Sequence, residues 1–132
     1  MRKLIVRLSQ SSAMHVAGAF IAMGGWAFFA NSAHEMPKPL FAALLQGGLS
    51  ACITLFLKTI IEALAARLSH VTALIVPPLI ASSLSFILLT TLHTHAGTPE
   101  VWLTIALPFS VATLYAVIYN FSLWKTKGAA HE

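Results

Sequence analysis

Aspartate is absent from this chain, and negative charge comes only from Glu35, Glu62, Glu100 and Glu132. With no aspartate, and no acid inside any predicted span, an intramembrane aspartyl protease is excluded. Cysteine occurs once, at Cys52, which rules out a disulfide within the chain, a redox pair and a multi-thiolate metal site. Charge of either sign is scarce: Asp, Glu, Lys and Arg make up 9% of 132 residues, against roughly 25% in ordinary soluble domains. What remains is 58% hydrophobic.

The few charges leave uncharged runs from Leu8 to His34, Pro39 to Leu57, Leu68 to Pro99 and Val101 to Trp124. Each is near or above the ~18 residues that an apolar helix needs to cross a bilayer. The expected fold is an all-α integral membrane protein with a single membrane domain over residues 1–132. Its four helices are expected at about 11–31, 40–61 with an interfacial extension to 68, 71–92 and 101–124. Pro37 and Pro39 in the first outer connection, and Gly97 and Pro99 in the second, stop helices and turn the chain. Helices 1 and 2, and helices 3 and 4, are thus expected to form two antiparallel hairpins.

Lys and Arg set the orientation. Arg2, Lys3 and Arg7 precede helix 1, Lys58 and Arg67 lie between helices 2 and 3, and Lys125 and Lys127 follow helix 4. Only Lys38 falls on the other side, so the split of seven against one predicts both termini in the cytoplasm. The net charge of +4 is read as this topology signal, because no soluble basic domain is available to bind nucleic acid. The first 35 residues also have the basic start and small residues of a signal peptide. Their uncharged stretch is longer than the usual hydrophobic region, so a retained helix is expected. A chain of this size and topology fits a bacterial inner membrane.

In lipid, helices associate through small residues and through polar side chains that bond across the contact. Helix 1 offers Gly18, Ala22 and Gly25, and helix 2 offers Gly47, Gly48 and Ala51. Helix 2 also carries Gln46, Ser50, Thr54, Lys58 and Glu62 at unbroken intervals of four, a polar stripe on one slowly drifting face. Such a stripe faces protein or water, and two roles fit it: one wall of a pathway for a solute, or hydrogen bonds between helices. Pro108 in helix 4 removes the donor for the Thr104 carbonyl, and Pro77 and Pro78 make helix 3 either begin late or bend.

Depth along the helices gathers two further groups. The outer group holds Asn31, His34 and Glu35 from the first connection, with His93, His95 and Glu100 from the second. The inner group holds His15, Tyr119 and Asn120 beside Lys58 and Glu62. Histidine and glutamate are ordinary metal ligands, but the spacing of His93 and His95 does not favour a site, and none is expected. Only His15 lies well inside a span, so a haem held between two histidines is not expected either. No cofactor is expected.

No family is assigned. The small multidrug transporters carry a glutamate in their first helix, and Ser11 to Asn31 contains no acid. The lipoprotein signal peptidases use two aspartates, and the chain has none. Without a nucleophile and base pair or a cofactor motif, the chain is not expected to be an enzyme. The reading is a small transporter, channel or flippase subunit for a polar or amphiphilic solute, homo-oligomeric and surrounded by membrane lipids. An accessory or assembly subunit of a larger membrane complex is the alternative.

Overall fold

The computed structural model describes the backbone of residues 1–130 and the side chains of 1–3 and 13–130. The side chain of Arg7 and the whole of Glu132, both part of the charge reading, lie outside these residues. The chain folds into four helices: α1 (Arg2–Ala30), α2 (Lys38–Arg67), α3 (His70–His95) and α4 (Val101–Ala129). With 26 to 30 residues each, they are about 39 to 45 Å long, more than the ~30 Å of a hydrocarbon core. All four are long and apolar enough to cross a membrane. Leu55, Phe56, Ile75, Leu79, Ile87, Leu114 and Ile118 are exposed on the outside of the bundle. That distribution suits hydrocarbon and not water.

Two boundaries differ from the sequence expectation. The α1 helix starts at Arg2 instead of about Ser11, and α4 continues past Trp124 to Ala129. Charge marks where a helix leaves apolar surroundings, but it does not stop the helix, because Lys and Arg are good helix formers in water. In α3, Pro77 and Pro78 lie inside a helix that already begins at His70. Both prolines are tolerated because another helix serves the carbonyls they leave free, as described below.

The α2 helix is the centre of the bundle. It packs on α1, α3 and α4, whereas α1 and α3 do not touch among the described residues. Its buried face runs through Ala42, Gln46, Leu49, Ile53 and Leu57, at the intervals of three and four that keep residues on one side of a helix. The α3 helix buries a strict row of four, Ala73, Pro77, Ala81, Ser85, Leu89 and His93, in which the small members let its neighbours approach. The apolar core joins Leu49, Ile53, Leu57 and Ile61 of α2 to Ala81 and Leu89 of α3 and Ile105 and Ala116 of α4.

Of the α1 glycines it is Gly24 that lies close against α2, not Gly18 or Gly25 of the small-residue row. A Cβ on Gly24 would stand 2.9 Å from the Ala43 carbonyl oxygen and 3.6 Å from Gly47 Cα, while one on Gly47 would meet the Phe20 ring at 3.0 Å. Gly18, Ala22 and Gly25 are exposed, and a Cβ on Gly18 or Gly25 would meet nothing within 4 Å.

Candidate functional site

The polar stripe of α2 divides along its length. Toward its N-terminal end Gln46 is fully buried, and Ser50 nearly so. The Gln46 side-chain oxygen lies 2.8 Å from His93 Nε2, and its nitrogen donates to Ser50 Oγ at 2.9 Å. A carboxamide oxygen only accepts, so His93 donates through Nε2 and its Nδ1 accepts from the Thr98 hydroxyl at 2.8 Å. This chain of bonds runs from the α3–α4 connection into α2. It uses every polar atom of the buried imidazole, as burial in apolar surroundings demands. His93 therefore belongs with the stripe as much as with the outer group.

The rest of the outer group forms a second link. Asn31 is fully buried at the end of α1, where its amide nitrogen donates to the Ala27 carbonyl and to Thr104 Oγ1, both at 2.8 Å. Its oxygen accepts from the Glu100 backbone N–H at 3.0 Å, and the Thr104 hydroxyl donates to the Glu100 carbonyl at 2.6 Å. His34 and Glu100 pair at 3.0 Å on the surface, where such a contact contributes little. Glu35 and His95 are exposed. Among the described residues no group of three or more His, Cys, Asp or Glu side chains is placed to hold a metal ion.

The inner group separates in two. Tyr119 donates its hydroxyl to Glu62 and stacks on Tyr115 with ring centroids 5.5 Å apart. Asn120, one residue on and about 100° around the helix, turns to α3 instead. Its amide nitrogen donates to the carbonyls of Ala73 and Leu74 at 3.0 and 2.8 Å. These are the carbonyls whose helical donors would be residues 77 and 78, both proline. Lys58 is exposed, and His15 is exposed on α1.

Midway along the bundle a cavity of about 330 Å³ opens between α1 and α4 with α2 as its floor. Gly18 and Ala22 form one wall, Pro108 and Tyr115 the other, and Ser50 and Thr54 supply the hydroxyls. Thr54 is half-buried and donates to the Ser50 carbonyl at 2.8 Å, so its oxygen keeps acceptor capacity toward the cavity. The exposed small residues of α1 thus have a place in the molecule: they leave this space open.

Some contacts could not be seen in the sequence. Thr98 and Thr104 are partners of His93 and Asn31 that no spacing rule selects. Lys127 donates to the carbonyls of Ala65 and Leu68, each at 2.9 Å, and closes the C-terminal end of α2. The Trp124 indole N–H donates to the His70 carbonyl at 3.0 Å. These bonds hold a tight turn in which His70 takes a φ of +54°, a conformation that side chains disfavour. Comparison of the chain with protein-family models, with curated proteins and with solved structures finds no match.

Proposed function

We propose that this chain is a subunit of a small homo-oligomeric transporter or flippase in a bacterial inner membrane, acting on an amphiphilic solute. The observation that carries the reading is the cavity between α1 and α4. It is an opening in the side of the bundle, apolar on its walls and hydroxyl-bearing on its floor. Such a space suits a molecule with a hydrocarbon part and a small polar part. In this reading the chain forms two antiparallel hairpins with both termini in the cytoplasm, supported by the distribution of Lys and Arg and by the close packing of α1 on α2 and α3 on α4. Gln46 and His93 brace the outer end, while Thr54, Lys58 and Glu62 grade the α2 face from half-buried to exposed toward the inner end.

The accessory-subunit reading draws on one observation, the exposed Gly25 on α1, a small residue of the kind that helices use to approach each other. Native mass measurement after purification in a mild detergent separates the two. A complex of identical chains is the outcome expected for transport. One copy held by a larger membrane protein would replace the transporter reading with the accessory one.

A further inference from the structure

A second cavity, of about 450 Å³, lies at the end of the bundle that carries the α2–α3 turn. Ser69, His70, Ala73, Trp124, Lys127 and Gly128 line it. We infer that this cavity binds the headgroup of an anionic phospholipid.

Three observations support the assignment. Lys127 is held in place by its bonds to Ala65 and Leu68, and an ammonium has three donors, so one remains for a ligand. Trp124 is fixed as a wall because its indole nitrogen is committed to the His70 carbonyl. Ser69 makes no side-chain cap bond to α3, which leaves its hydroxyl available. The surroundings are basic on balance, with Arg67 and Lys125 exposed at the same end against the one carboxylate of Glu62 among the described residues.

A soluble anion would need only the charge. Here apolar surface adjoins the lining residues: Phe121 stacks beside Trp124 with centroids 6.1 Å apart, and Val71, next to His70, is 62% exposed. A head with negative charge and a hydrocarbon tail matches both parts. Basic pockets between membrane helices on the cytoplasmic side are the kind of site that binds anionic headgroups. The assignment to the cytoplasmic leaflet rests on the orientation proposed above, but binding of the lipid does not.

The test uses the full chain in a non-ionic detergent, with native mass spectrometry counting retained phosphatidylglycerol, phosphatidylethanolamine or inorganic phosphate. Gly128 is the position to vary, because a Cβ there meets nothing within 4 Å and the Lys127 bonds stay intact. The wild type is expected to retain one phosphatidylglycerol about five-fold more tightly than phosphatidylethanolamine. Gly128→Glu should weaken that binding about five-fold relative to the isosteric Gly128→Gln, and Lys127→Gln should weaken it similarly. Equal retention of the two lipids by the wild type, or equal binding by the Glu and Gln variants, would overturn the proposal. So would displacement of the lipid by millimolar inorganic phosphate, which would mark a site for soluble anions. Since the measurement involves neither flux nor orientation, its failure is separate from failure of the transporter reading.

Discussion

The side-chain amide of Asn120 lies 2.8 Å from the carbonyl oxygen of Leu74, the group that Pro78 leaves without its helical donor. The same nitrogen also serves Ala73, which Pro77 leaves free in the same way. One side chain on α4 thus makes a double proline possible inside α3. Its own oxygen is buried without a partner among the described residues, so the two carbonyls fix how the amide is turned.

Replacing Asn120 with Leu should therefore destabilise the bundle. Two interhelical bonds at an average of about 0.6 kcal/mol, and at most about 1.7 kcal/mol each, give an expected loss of about 1 to 3 kcal/mol. Unfolding in detergent is the measurement, and a double-mutant cycle gives the cause. Where Pro77→Ala and Pro78→Ala restore the N–H donors, Asn120→Leu should cost less. An unchanged cost would show that the carbonyls are not what Asn120 serves.

The four spans were legible in the sequence because charge was absent over long runs, and that much depends on composition alone. The rotation of each helix was not legible. In lipid, buried and exposed faces are equally apolar, so nothing in the pattern told Gly24, which touches Ala43, from Gly25, which faces outward. The α2 stripe was visible as a period of four, but its division into a buried end at Gln46, bonded to His93 of α3, and an exposed end at Lys58 was not. Likewise, Pro77 and Pro78 announced an unmet need, while the residue that meets it lies more than forty positions further on.

The glycines give a direct check on that rotation. Gly24→Ala forces the α1 and α2 backbones apart, and overpacking of this kind typically costs about 1 to 3 kcal/mol. Gly25→Ala meets nothing and should leave stability unchanged or slightly raised. Thermal melting of both variants in one detergent decides the point. Equal effects would place the α1–α2 contact elsewhere.

Orientation is tested by single cysteines at Ser32, Ala96 and Thr126, all exposed, in protein with Cys52 replaced by Ala. An impermeant thiol reagent on intact cells should label positions 32 and 96 and leave 126 unlabelled. Thr98 is a poor choice for this purpose, because it is buried against His93. Labelling of 126 without 96 would reverse the topology.

The proposed pathway requires the α2 stripe to be sealed at Gln46 and open to a polar solute at Ser50 and Thr54. Single cysteines at Ser50, Ile53 and Thr54, again with Cys52 replaced by Ala, can be exposed to small water-soluble thiol reagents in membranes. Only a thiolate reacts, and a thiol packed among apolar side chains stays protonated, so the rate reports access to water. Ser50 and Thr54 line the cavity, whereas Ile53 does not and packs in the apolar core. A hydrated pathway predicts reaction at 50 and 54 with an inert 53. If all three positions are inert, or if 53 reacts as fast as the other two, the cavity is not a pathway and the stripe serves only to bond the helices together.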